Sequence, residues 1–338
     1  MKVLLHVEAL KGLNESGLGQ AINHQKKALN SVNIDYTLNK NDTYDLAHLN
    51  FYLIDSALLA RRLKKQGVPI VYHAHSTKED FRDSFWFSKI IGGIYFRWLL
   101  HCYNYGTVLI TPTEYSKKLL ESYGIKKKIF PISNGIDLDY FKRDKKEGEF
   151  FRKTYGYSKD DKVIVGIGLF FKRKGILEFI ELARRLPEYK FIWFGYTESI
   201  YLTREVKKAI KNHPDNLTFA GYVDKSVIRS ALSGCDLYIF PTHEETEGIP
   251  AVEACAMKTD MIVSDIPVFH PWLKDGLNTY MAKDVDEFED KIKKIINKEL
   301  PSLVEEGYKV AKERDSKIIG TKLKKVYEDA IKLAKNKK

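Results

Sequence analysis

The chain has 338 residues and a formal net charge of +11, from 56 Lys and Arg against 45 Asp and Glu. Its hydrophobic share of 44% and aromatic share of 12% exclude a disordered polycation. The length suits about two domains, and no apolar run approaches the ~20 residues that would cross a bilayer. Cys102, Cys235 and Cys255 are too few and too widely spaced for a disulfide framework or a structural zinc site. Residues 1–8 lack the apolar core and cleavage site of a signal peptide, so the expected compartment is the cytosol.

Taken in chain order, apolar runs predict strands at Lys2–Val7, Asp45–Asn50, Pro69–His73, Thr107–Thr111 and Ile129–Ile132. Helical spacing predicts Gly19–Val32 and Tyr115–Tyr123 among them. After the charged stretch Lys142–Glu149 the series restarts, with strands at Lys162–Gly166, Lys190–Phe194, Leu217–Ala220, Leu237–Phe240 and Met261–Val263. Helices at Ile176–Leu186 and Val223–Leu232 alternate with these strands. This alternation predicts an α/β protein with parallel sheets. Residues 1–144 form one expected domain, residues 145–320 a second, and residues 321–338 a basic C-terminal helix. A ligand is expected at the carboxyl ends of the strands, in a cleft between two similar units. The charge is uneven: +6 over residues 1–144, zero over 145–320 and +5 over 321–338.

The most specific motif runs from His243 to Ala254, just after the strand Leu237–Phe240. Glu245 and Glu253 lie eight residues apart, the first in a strand-to-helix loop and the second in the following helix. Gly248 between them permits close backbone approach. Free amides at the helix start suit an anionic group, and a buried carboxylate in the helix suits sugar or ribose hydroxyls. Lys172-Arg173-Lys174-Gly175, at another strand-to-helix turn, offers positive charge to a diphosphate leaving group. His73 ends a strand of the first half and His75 follows it. An imidazole there suits hydroxyl binding or proton movement near neutral pH.

The Glu245-x(7)-Glu253 pair inside E-x-x-G-x-x-x-x-E-A resembles the signature of retaining glycosyltransferases of family 4. Gly12–Gly19, including Gly17, resembles that family's glycine-rich loop. Ser133-Asn134-Gly135-Ile136-Asp137 with Phe141 resembles its interdomain motif, and Lys172–Gly175 its basic donor-phosphate segment. The resemblance covers essentially the whole chain. It implies the GT-B fold: two Rossmann-like domains facing across a cleft, with a C-terminal helix crossing back to the N-terminal domain. It also implies a UDP-hexose donor, as substrate, with no metal or other cofactor. Catalytic roles would fall to His75 and Glu245. Donor binding would fall to Gly17, Arg173, Lys174, Gly195, Val223, Glu247, Gly248, Ile249 and Glu253. Retention would follow from same-face attack assisted by the leaving diphosphate. Two departures stand out. Leu169 occupies the place where the family often has arginine, so either Arg173 takes that role or the phosphate clamp is weaker. Lys258-Thr259-Asp260 replaces the family's Gly-x-Pro.

Residues 81–105 are rich in aromatics. Phe87, Ile90, Ile91, Ile94, Tyr95, Trp98, Leu99 and Cys102 fall on one helical face, the pattern of a core helix. Off that stripe stand Phe85, Trp86 and Phe96, beside Lys89 and Arg97, a composition suited to a lipid interface. With the basic N-terminal part, this favours an acceptor held in an anionic membrane over a nucleic-acid surface, for which no fingerprint is visible. The H-A-H-S-T-K-E-D-F segment and the R-K-G…E-F-I-E-L-A-R-R-L run resemble glycosyl-diacylglycerol synthases of Gram-positive bacteria. The start of the chain resembles their second-step enzyme most. That implies UDP-glucose or UDP-galactose as donor and glucosyldiacylglycerol as acceptor. The product would be a lipoteichoic-acid anchor lipid, made by a peripheral protein on the cytoplasmic face. A soluble family 4 transferase acting on a polysaccharide or protein is the alternative within the class.

Overall fold

The computed structural model describes residues 1–8, 17–82 and 88–336, the side chains of residues 17, 18, 20, 89 and 90 apart. The chain divides into two units. One comprises Met1–Glu79, Ile90–Asp137 and Arg314–Lys338, and the other is chiefly Leu138–Glu313.

In the first unit six strands, β1 (Lys2–His6), β2 (Asp35–Thr37), β3 (Leu46–Leu49), β4 (Ile70–His73), β5 (Val108–Thr111) and β6 (Ile129–Pro131), form one sheet. Its order is β2-β1-β3-β4-β5-β6 and every pairing is parallel. The second unit repeats the design with β7 (Val163–Ile167), β8 (Lys190–Phe194), β9 (Leu217–Gly221), β10 (Leu237–Phe240), β11 (Met261–Ser264) and β12 (Tyr280–Ala282). Their order is β12-β11-β10-β7-β8-β9, again all parallel. Strands covered by helices on both faces read as continuous apolar runs, which is why most were legible. β2 and β12, both three-residue edge strands, were not.

The helix Ser316–Lys335 belongs to the first unit and begins ahead of the basic stretch from residue 321. Ile319, Leu323, Val326, Tyr327 and Ala330, on one helical face, enter the core that holds Val3, Leu29, Val71 and Ile110. Gly320 lets this helix approach the helix Gly17–Ser31, since a Cβ there would sit 2.2 Å from the Ala28 carbonyl oxygen. The Ser133–Asp137 segment stitches its start. The Ile136 carbonyl accepts from Ser316 N at 3.0 Å and Ser316 Oγ at 2.9 Å. The chain therefore leaves the first unit after Asp137, before the charge boundary near 145.

Candidate active site

In the second sheet β7 and β10 are neighbours, so the loops leaving their carboxyl ends meet. The approach is close. Gly175 adopts φ +76°, and a Cβ there would lie 1.9 Å from the Pro241 carbonyl oxygen. His243 N donates to Arg173 O at 2.7 Å, and Arg173 Nη1 donates to Glu244 O at 3.2 Å. This seam carries the Lys174 ammonium onto the Glu245 carboxylate as a buried ion pair. The Thr242 hydroxyl lies within hydrogen-bond reach of both Glu245 Oε1, at 2.9 Å, and Arg173 O, at 3.0 Å. Burial pushes the Lys174 ammonium down, and Glu245 opposes that shift. Removing one member of such a pair costs about 3 kcal/mol, because the other charge is stranded.

Gly248, at φ +88°, opens the helix Ile249–Ala256, and no side chain caps that N-terminus. Glu247 is buried beside it and Ile249 half-buried. The expected geometry is met: Glu245 stands in the loop and Glu253 inside the helix. Burial raises the Glu253 carboxyl to about 7, against the pull of Lys225 3.9 Å away. An uncapped helix start beside a lysine and an arginine suits a diphosphate.

Gly195 and Val223 follow β8 and β9, farther along the same sheet end. Gly195 has φ +135°, and a Cβ there would lie 1.9 Å from Gly168 O; its N–H donates to Gly221 O at 2.8 Å. Val223 is half-buried in the turn before the helix Lys225–Gly234, which starts later than the predicted Val223. Arg173, resting 5.9 Å from the Phe171 ring, is the arginine of the loop where Leu169 departs from the family pattern.

In the first unit His75 follows β4, half-buried, with Nε2 3.0 Å from Asn50 Oδ1. Its ring stacks on His73 at 3.8 Å, and His73 stacks on His48 at 5.3 Å. Gln25 Nε2 donates to Asn50 Oδ1 at 2.7 Å and lies 2.8 Å from His73 Nδ1. His48 Nε2 lies 3.2 Å from the same His73 nitrogen, and His48 Nδ1 lies 2.7 Å from the Tyr327 hydroxyl. Burial lowers both His48 and His75 to about 3, and His73 falls for the same reason, so all three are neutral at pH 7. Among the described residues, His73 Nε2, Gln25 Oε1 and Asn50 Nδ2 have no hydrogen-bond partner. Each such buried group costs about 1–3 kcal/mol.

Gly17 begins the helix Gly17–Ser31, but residues 12–16 of the glycine-rich segment lie outside the described residues. So do Phe85 and Trp86, and the Lys89 side chain. The aromatic helix, Ser88–Tyr103, corrects the sequence reading at several places. Phe96 is half-buried, edge-on to Tyr123 at 4.9 Å, with Lys78 over its ring at 5.3 Å. Arg97 is exposed. The predicted core stripe is split. Leu99 and Cys102 are fully buried, whereas Ile94 is 76% exposed and Trp98 36%. On one flank Trp98 Nε1 donates to Tyr52 O at 2.6 Å. Just beyond Tyr52, Ile54 is 69% and Leu58 59% exposed on the helix Ile54–Lys65, in line with exposed Arg61, Arg62 and Lys65. That i, i+4, i+7, i+8, i+11 line was visible in the sequence and was missed. Thr242, Lys225, Gln25, His48, Asn50 and Tyr327 were missed too. Of these only Asn50, a polar residue directly after an apolar strand, carried a local signal.

Two parallel six-stranded sheets, each with its chemistry at the carboxyl ends of its strands, define a protein of the GT-B class. The model for glycosyl transferases group 1 matches residues 147–314, and that for Glycosyltransferase Family 4 matches residues 27–140. A processive diacylglycerol alpha-glucosyltransferase of Acholeplasma laidlawii is 41% identical over 98% of this chain and 99% of its own. An alpha-galactosylglucosyldiacylglycerol synthase of Streptococcus pneumoniae is 26% identical over 67% of this chain and 61% of its own. Among solved structures, Anabaena HepE in complex with UDP-glucose superposes with a TM-score of 0.80 at 17% identity, over 97% of this chain and 100% of its own. Sucrose-phosphate synthase from Thermosynechococcus elongatus superposes at 0.72, with 17% identity, over 85% and 73%. The chain belongs to the group 1, family 4 glycosyltransferases.

Proposed function

We propose that the protein transfers glucose or galactose, with retention, from a UDP-sugar to monoglucosyldiacylglycerol, forming the diglycosyldiacylglycerol that anchors lipoteichoic acid. The observation that carries the acceptor class is the end-to-end alignment with a diacylglycerol glucosyltransferase. Glu245 contacts the donor sugar, Glu253 the ribose, and Lys174 with Arg173 the diphosphate, aided by the helix start at Gly248 and Ile249. Lys174 then exchanges its resting partner Glu245 for phosphate, which frees the carboxylate for sugar hydroxyls. Glu247 lines the same loop, and Gly195 and Val223 flank the base. By the family resemblance, His75 is the catalytic histidine that contacts the reacting sugar. No cofactor is needed, which a chelator in the assay checks.

The acceptor is reached from an anionic membrane, on its cytoplasmic face, by peripheral contact. Among the described residues no helix is long and apolar enough to cross a bilayer. Exposed Ile54, Leu58, Ile94 and Trp98 with neighbouring Arg61, Arg62, Lys65 and Arg97 supply an apolar face edged by cations, the composition of an interfacial contact. The description of the Acholeplasma relative as processive favours a second reading, in which diacylglycerol itself is also an acceptor. Each UDP-hexose is offered with diacylglycerol, with glucosyldiacylglycerol in vesicles and with a soluble glycan, and products are resolved by mass and linkage. A second hexose added to glucosyldiacylglycerol alone is the expected result. Product from diacylglycerol supports the second reading, and transfer only to a soluble glycan rules out both.

A further inference from the structure

With the Gln25 and Asn50 carboxamides oriented as they are, Gln25 Nε2 toward His73 and Asn50 Oδ1 toward His75, the polar cluster around His75 takes one arrangement of protons. Gln25 Nε2 donates to His73 Nδ1, so the same lone pair faces the proton on His48 Nε2, and His48 Nδ1 is left to accept from the Tyr327 hydroxyl. The two Gln25 amide hydrogens go to His73 Nδ1 and Asn50 Oδ1. Asn50 Oδ1 is only an acceptor, so the contact at 3.0 Å requires His75 to hold its proton on Nε2. We propose that Asn50 is the positioning residue of this site: it fixes His75 as the Nε2–H tautomer and leaves Nδ1 bare to accept a hydrogen bond from a sugar hydroxyl. Gln25 braces Asn50 from the N-terminal helix. The stack of His73 on His75 at an interplanar angle of 9° prevents the ring from tilting.

Packing alone does not account for the arrangement. Gln25, His48, Asn50 and His73 are almost fully buried, between apolar clusters that would accommodate hydrocarbon. Among the described residues, three of their polar atoms have no hydrogen-bond partner. A core built only for stability would avoid a half-satisfied network. The neutral state of all three rings keeps the tautomer chain intact across the neutral pH range.

The inference rests on the reading that His75 faces the reacting sugar, and the test separates the two. Histidine-labelled protein is examined by long-range proton–nitrogen NMR, with His75→Gln assigning the His75 signals. The wild type is expected to show a protonated Nε2 and a bare Nδ1. Asn50→Leu is expected to mix the tautomers and lower kcat about tenfold or more, with the donor KM unchanged. Asn50→Asp, which keeps an acceptor oxygen, restores the Nε2–H form and most of kcat. Tyr327→Phe loosens the far arm and leaves the His75 tautomer unchanged. Asn50→Ala carries the same readout if leucine is not accommodated. An unaltered tautomer and kcat in the Asn50 variants overturns the proposal, as do equal losses from Asn50→Leu and Tyr327→Phe. Full transfer by His75→Ala instead overturns the reading of His75 while the tautomer result stands.

Discussion

Two influences act on Glu253 in opposite directions. Burial raises its carboxyl to about 7 from an ordinary 4.5, and Lys225 pulls it back. The folded chain therefore binds this proton more tightly than the unfolded one. Its contribution to stability is complete below about 4.5 and is lost as pH rises through about 7. Above that value the buried carboxylate weakens the fold by ~3 kcal/mol, from the size of the shift. Glu253→Gln is expected to be more stable than the wild type by about that amount at pH 8 and nearly equal to it at pH 4.5, as measured by urea unfolding. His48 and His75, whose lowered values remove stability as pH falls from about 6.5 to about 3, act equally in both proteins and cancel. If the ionised form receives the ribose hydroxyls, UDP affinity rises between pH 6 and 8 in the wild type and stays flat in the variant. The spacing of Glu245 and Glu253 was legible because it is local. The lysines that meet them were not, since Lys174 stands 71 residues from Glu245.

Helix boundaries show the same division. The helix Ile54–Lys65 begins after Leu53, which offers its amides no side-chain cap. Glu8 supplies the cap from the end of β1: its carboxylate accepts from Asp55 N at 3.0 Å, Ser56 N at 3.1 Å and Ser56 Oγ at 2.8 Å. Glu8→Ala is expected to lose about 1 kcal/mol in chemical denaturation, with Glu8→Gln milder because one acceptor oxygen remains. A loss below a few tenths would mean that water satisfies these amides equally well. No capping rule reaches from residue 8 to residue 55. In the aromatic helix the apolar spacing was read correctly as helical and wrongly as one buried face. Periodicity reports which residues share a flank; what covers the flank is settled by neighbouring elements. Here Tyr52 covers part of it, and Ile94 is left in solvent.

At the scale of the molecule, the charge belongs to one unit. The first unit holds 25 Lys and Arg against 13 Asp and Glu, and the second 31 against 32. The C-terminal helix contributes its excess to the first unit because it packs there. On the proposed reading, flotation with phosphatidylglycerol vesicles is strong at low salt and falls as salt rises, since each surface cation contributes about 1 kcal/mol near an anionic bilayer. Paired Ile54→Ser and Ile94→Ser changes are expected to abolish flotation while leaving UDP affinity intact; flotation that persists would remove this face from the membrane contact. The sequence by itself determined the α/β class, most strands, the two-glutamate loop and the uneven charge, because apolar runs, helical spacing and side-chain charge are properties of short segments. Only the tertiary structure decided that Lys174 meets Glu245, that Glu8 caps a helix, that Asn50 holds His75 and that Ile94 faces water. Each of these depends on which distant surfaces pack together, and sheet order, not local propensity, fixes that.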